Sequence, residues 1–129
     1  MDKAKIGFIG CGTHSTNNLY PMLNYARATL EAVCDTNETL ARRNMEMYGG
    51  KSFYTSVDAM LDKASLDGVM IVGPSELHRD AGLKALARGI PVFVEKPTAP
   101  DLAGVEEMIR VAKAHGTFFM TAFMKRHGL

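Results

Sequence analysis

The chain has 129 residues, 47% of them hydrophobic and 22% charged, with a formal net charge of +1. That length suits one domain with a full core and leaves little room for a second. The near-neutral balance gives no electrostatic footing for nucleic acid or a membrane surface.

The N-terminal residues Met1-Asp2-Lys3-Ala4-Lys5 run straight into a strand pattern, without the apolar core of a signal peptide. No apolar stretch approaches the roughly 20 residues of a membrane span, so a cytoplasmic protein is expected. Cys11 and Cys34 form no C-x-x-C pair and read as two free thiols. The four histidines are scattered without Cys/His spacing, so no metal site is expected.

In chain order, strand and helix signals alternate without repeats or linkers, the mark of a parallel sheet covered on both faces. Lys5 to Ile9 reads as a first strand ending at Gly10, followed by a short helix after Ser15 that Pro21 cuts or kinks. Leu30 to Cys34 is a second strand. Thr36 is placed to cap a helix over Glu38 to Met47, which Gly49-Gly50 closes. Ser52 to Tyr54 is a weak third strand, and Ser56 starts a short helix through Leu61. The apolar run Val69-Met70-Ile71-Val72 is a central strand that stops at Gly73-Pro74.

Glu76 to Arg88 is helical with Gly89 as its stop, and Pro91 to Val94 is the fifth strand. Asp101 caps a helix on which Leu102, Val105, Ile109 and Ala112 recur at helical spacing, and Gly116 ends it. Thr117 to Phe123 reads as a sixth strand. With right-handed crossovers the expected fold is α/β, a doubly wound parallel sheet of order 3-2-1-4-5-6 in a single domain, 1–129. Its ligand crevice lies between the first and fourth strands.

Gly10-Cys11-Gly12-Thr13-His14-Ser15 lies between the first strand and the first helix. Gly10 permits a tight turn, Gly12 lets the backbone approach a pyrophosphate, and the helix start supplies N–H groups. Ser15 stands where a third glycine is usual; its small side chain allows close packing and can donate to phosphate. Thr13 and His14 belong to the same loop, with His14 either near the phosphates or facing solvent.

Asp35 ends the second strand twenty positions after Ser15, near the spacing of the acid that accepts bonds from an adenosine ribose. Its bland role is to cap the next helix. A carboxylate there repels a ribose phosphate, and Arg42 and Arg43 come more than a turn later, where they read as solvated. NAD is therefore expected over NADP.

Pro74 and Ser75 shape the turn after the central strand and cap its helix. His78, in the first turn of that helix, either lines the crevice or makes a buried hydrogen bond that fixes the loop. Glu95-Lys96-Pro97 follows the apolar fifth strand at the carboxyl edge of the sheet. The bland reading is a surface ion pair. The functional one has Lys96 stabilise a developing alkoxide or help hold the nicotinamide side, oriented by Glu95. A cis Lys96–Pro97 bond suits such a loop.

These motifs, from Gly10-x-Gly12 through Val33-Cys34-Asp35 and Pro74-x-x-x-His78 to Glu95-Lys96-Pro97-Thr98-Ala99, resemble the N-terminal domain of the Gfo/Idh/MocA family. Its members include glucose–fructose oxidoreductase, inositol dehydrogenase and rhizopine-catabolism proteins. The resemblance implies an NAD(P)-dependent oxidoreductase acting on a sugar, cyclitol or related polyol. The family lysine maps onto Lys96 as the catalytic residue, the ribose acid onto Asp35, and the glycines onto Gly10 and Gly12.

It also implies a second α/β domain carrying substrate contacts, a catalytic histidine and most of a homo-oligomer interface. That domain is expected beyond Leu129, so this chain reads as the truncated cofactor half of a two-domain parent. Alone, it is expected to bind cofactor without turnover. A non-catalytic nucleotide-binding module, a redox sensor or an interaction domain, is the other reading.

Overall fold

Strands of three to seven residues assemble into one parallel sheet in a computed structural model that describes residues 2–122. The strands are β1 (Ala4–Ile9), β2 (Ala28–Cys34), β3 (Ser52–Tyr54), β4 (Gly68–Ile71), β5 (Val92–Glu95) and β6 (Phe119–Ala122). Their spatial order is β3-β2-β1-β4-β5-β6 with every pairing parallel, as expected from the alternation of elements. β1 therefore sits between β2 and β4, and the chain leaves it in opposite directions on its two sides. That reversal opens the crevice.

Alternation along each strand sends neighbours to opposite faces. Ile9, Ile71 and Val94 pack with Met60, Leu86 and Met108 under α2 (Val57–Lys63), α3 (Ser75–Ala87) and α4 (Leu102–Ala114). Phe8, Val33 and Leu30 pack on the other face with Tyr20 and Ala41, the latter on α1 (Glu38–Tyr48). Phe8 and Tyr20 stack with ring centroids 3.8 Å apart, and both are fully buried. Burial of each such side chain stabilises the fold by about 1.5–3 kcal/mol.

Several boundaries differ from the sequence reading. β2 begins at Ala28 because Ala28 and Thr29 pair with Ala4 and Lys5, strand ends that form no continuous apolar run. β6 begins at Phe119, since the N–H of Thr117 is still closing the end of α4 on the Ala112 carbonyl at 3.0 Å. Phe123, expected at the end of β6, lies outside the described residues.

α1 is capped by Asn37 rather than Thr36, its side chain accepting from the Leu40 N–H at 3.3 Å. Ser56 and Asp101 cap α2 and α4 as expected, each side chain accepting a first-turn N–H. The chain between β1 and β2 is a π-helical turn, Ser15–Leu19, followed by a 3₁₀ segment, Tyr20–Tyr25. Pro21 sits at the start of the second piece, where its missing N–H costs nothing.

Candidate functional site: a cleft at the carboxyl edge of the sheet

The ends of β1, β2 and β4 and the loop after β3 surround a cleft of about 570 Å3. Ile9, Gly10, Gly12 and Cys34 line it together with Asp35, Thr36, Val72, Gly73 and Pro74. Thr55, Ser56, Val57 and Leu77 add the far wall. Sequence reading missed that wall. The available signal was topological: in a parallel sheet every strand's carboxyl end lies at one edge, so the loop after β3 must border the same crevice.

Gly10 has φ of 111°, and a Cβ there would lie 1.9 Å from the Val72 carbonyl oxygen, so only glycine fits. Its own N–H donates to the Cys34 carbonyl at 2.8 Å, which locks the turn to β2. Gly12 is the reverse case: a Cβ would meet nothing within 4 Å. It borders the main cleft and two smaller recesses, of about 180 and 310 Å3. A side chain would fill this cradle, while its absence leaves bare backbone toward open space, the surface a pyrophosphate requires. The site therefore fits a dinucleotide.

Ser15 does not supply the expected phosphate donor. It is 1% exposed, and its hydroxyl donates to the carbonyls of Gly10 and Gly12, both at 3.0 Å, so its proton serves the loop. Thr13 and His14 are exposed. They border the 310 Å3 recess that also takes in Glu95 and Lys96. His14 accepts at Nδ1 from the Asn18 amide at 3.2 Å and faces outward.

Asp35 is half-buried and already engaged at both oxygens: Oδ2 accepts the Cys11 N–H and Oδ1 the Asn37 N–H, each at 2.8 Å. Each oxygen keeps a lone pair that can accept a ribose hydroxyl. The outer side of the glycine loop is braced by residues the sequence did not flag. Tyr20 Oη donates to the Gly10 carbonyl at 3.2 Å, and Tyr48 Oη donates to the Thr16 carbonyl at 2.8 Å. Fully buried Asn44 donates to Thr16 Oγ1 at 2.9 Å. The usable signal was Asn44 itself, a polar residue on the apolar stripe of α1.

Cys11 and Cys34 are buried free thiols, as expected. Burial is the largest cause pushing Cys11 up to about 11; the Tyr20 hydrogen bond opposes it, and Asp35 adds to it. Cys34 is pushed up to about 12, first by burial and then by Asp35. Both are poor nucleophiles at neutral pH. Among the described residues no group of three or more His, Cys, Asp or Glu can hold a metal, and no helix is long and apolar enough to cross a membrane.

Of the alternatives for His78, the geometry selects the buried clamp. The ring is fully buried; Nδ1 lies 2.7 Å from the Pro97 carbonyl and Nε2 3.1 Å from the Gly73 nitrogen. A carbonyl only accepts and a backbone N–H only donates, so the ring carries its proton on Nδ1 and is neutral. His78 therefore ties the loop after β4 to the loop after β5 and does not line the crevice. Pro74 lies on the cleft wall and is the N-cap of α3. Ser75 gives no capping bond, because it falls inside the first turn and its hydroxyl donates to Glu76 at 3.4 Å.

The Lys96–Pro97 peptide is cis, in line with the sequence reading. Lys96 is exposed and forms no ion pair among the described residues, with Glu95 or any other carboxylate. The expected Glu95–Lys96 pairing is thus absent: Glu95 is the last residue of β5 and half-buried, while Lys96 has left the strand. What the fold brings together is Lys96, Glu95, Gly12, Thr13 and Gly73 around one recess beside the glycine loop.

Residues 4–123 match the model of an oxidoreductase family with an NAD-binding Rossmann fold, Gfo/Idh/MocA. The chain is 34% identical over 101 residues to an inositol 2-dehydrogenase of Streptomyces avermitilis, a match covering 78% of the chain and 29% of that relative. It superposes on the WlbA dehydrogenase of Bordetella pertussis, solved with NADH and UDP-GlcNAcA, with a TM-score of 0.87 and 26% identity, covering 98% of the chain and 38% of that protein. It also superposes on a variant of KijD10, a 3-ketoreductase of Actinomadura kijaniata solved with TDP-benzene and NADP, with a TM-score of 0.90 and 27% identity, covering 98% of the chain and 39% of that protein. The chain thus spans about a third of the length of these relatives. The glycine turn and the acid closing β2 line the main cleft, the lysine after β5 lines the recess that shares Gly12 with it, and this chain belongs to the Gfo/Idh/MocA oxidoreductase family and carries its NAD-binding Rossmann fold.

Proposed function

We propose that this chain is the cofactor-holding part of an NAD(P)-dependent oxidoreductase that acts at a carbinol or ketone of a sugar, cyclitol or related polyol. The observation that carries the reading is the bare cradle at Gly12, next to the carboxylate of Asp35 and opening toward Lys96. The relatives' names, an inositol 2-dehydrogenase and a dehydrogenase crystallised with UDP-GlcNAcA, support the substrate class.

When bound, the nicotinamide supplies the hydride acceptor or donor. The chain's own residues do the rest. Gly10 and Gly12 hold the loop backbone against the pyrophosphate. Asp35 accepts from the adenosine ribose hydroxyls and favours NAD, since its charge repels a ribose phosphate. Lys96 donates from its ammonium to the substrate oxygen and stabilises negative charge developing there.

The cofactor preference has a direct test. Titration of the chain should show tighter binding of NADH than of NADPH, and Asp35→Ala should narrow the gap. An equal or reversed preference in the unmodified chain would remove the role given to Asp35.

The 129-residue chain by itself binds cofactor without turnover. Catalysis needs walls that orient the carbinol and a proton acceptor for it, and the recess around Lys96 is not enclosed. An NADH-formation assay over sugars and cyclitols should read blank for this chain; steady turnover abolished by Lys96→Ala would show one domain to be sufficient. The competing reading, a binding module without chemistry, leaves Lys96 without a task.

A further inference from the structure

His14 is exposed on the glycine loop, yet its ring is held. The side-chain amide of Asn18, four residues on, reaches back to it twice. The amide nitrogen lies 3.1 Å from the His14 carbonyl oxygen and 3.2 Å from Nδ1 of the ring. A carbonyl only accepts, so the amide must turn its NH2 group toward it, and the same nitrogen then donates to Nδ1. With Nδ1 engaged as an acceptor, the proton of the neutral ring sits on Nε2. Nε2 makes no hydrogen bond among the described residues.

His14 borders the 310 Å3 recess together with Glu95 and Lys96. That volume lies near the lower end of the roughly 300–1,000 Å3 of small-molecule sites. The Lys96 ammonium is a second unspent donor there, exposed and without an ion pair among the described residues. Two free donors, brought to one recess by two different loops, suit a ligand that offers two oxygens. We propose that His14 is a specificity-determining residue that donates from Nε2 to a hydroxyl oxygen beside the reacting carbinol, so that the recess selects vicinal polyols over isolated carbinols.

The inference rests on the reading of Lys96 as the group that meets the substrate oxygen, and it adds a second contact to that site. Because the Asn18 clip leaves Nε2 protonated, His14 orients the substrate and does not take the carbinol proton. The clip also limits the freedom the ring would otherwise lose on binding. Both residues are exposed, so substituting either leaves the core intact.

The test is an NMR titration of the NADH-saturated 129-residue chain with myo-inositol and, separately, with cyclohexanol, which has a single carbinol. The signals followed are the His14 ring nitrogens and the Lys96 side chain. In the unmodified chain the neutral ring should carry its proton on Nε2, and Asn18→Leu should admit the Nδ1–H form. myo-Inositol should move the His14 and Lys96 signals along one binding curve. His14→Leu should weaken myo-inositol by about tenfold, the usual effect of losing one hydrogen bond, and leave cyclohexanol nearly unchanged. His14→Gln, which keeps a donor, should recover part of the loss.

A proton found on Nδ1 in the unmodified chain would overturn the proposal. So would myo-inositol moving Lys96 but not His14, or equal weakening of both alcohols in His14→Leu, which would make His14 a brace for the loop. If NADH binds and neither alcohol moves the Lys96 signal, the reading of the recess as a substrate site fails, and the proposal fails with it.

Discussion

Lys96 stands exposed just past β5 with no carboxylate partner among the described residues, so its charge contributes little to holding the fold together. Lys96→Ala should therefore change stability by less than about 0.5 kcal/mol, as for other exposed sites. In a complete enzyme carrying this domain, the same change should lower kcat by roughly 100-fold or more, the usual result of removing a group that stabilises developing charge. Thermal melts and steady-state kinetics on the one variant separate the two roles; a large stability loss with turnover kept would return Lys96 to a structural one.

At this scale the sequence was partly legible. Gly10 and Asp35 could be found because their positions are dictated by backbone geometry and by strand ends, which leave periodic signals. Ser15 was misjudged and His78 left open. Their roles depend on which partner a side chain finds across the fold, and spacing along the chain does not encode that. A serine hydroxyl able to reach a phosphate can equally turn back onto two loop carbonyls, and here it does.

Between elements, polar clamps set the shape of the crevice. α1 holds the back of the glycine loop through Arg43, Asn44 and Tyr48, while α3 carries His78, whose ring joins the loops after β4 and β5. At its other end α3 is pinned to α2 by Lys84 and Arg88 on Asp58, at 2.7 and 3.0 Å. These surface pairs are exposed, and each adds little.

The His78 clamp is worth more, because its removal strands a loop N–H and a carbonyl that were paired to a buried ring. His78→Ala should cost at least about 2 kcal/mol in denaturant unfolding. His78→Asn should recover part of this, since its amide can donate to Pro97 from near the Nδ1 position yet cannot also serve Gly73. Equal stability of all three proteins would show that the clamp does not hold the loops. Helix existence was readable from periodicity and glycine stops; the cap of α1 was not, because Thr36 and Asn37 are both good caps and only the turn at Asp35 chooses between them.

Across the whole molecule, the strand order and the crevice followed from alternation plus handedness, which leave few topologies for six parallel strands. The edge of the sheet at β6 leaves apolar surface bare: Phe118 and Met120 are 61% and 51% exposed.

The central claim is that bare backbone at Gly12 faces a dinucleotide. Gly12 has no positive φ, and an added Cβ meets nothing within 4 Å, so Gly12→Val should leave the melting curve nearly unchanged while filling the cradle. Calorimetric titration with NADH is the measurement. The unmodified chain should bind one equivalent saturably, and Gly12→Val, still folded, should lose that binding. A folded Gly12→Val protein that binds NADH as well as the unmodified chain, or an unmodified chain that does not bind it, would contradict the account.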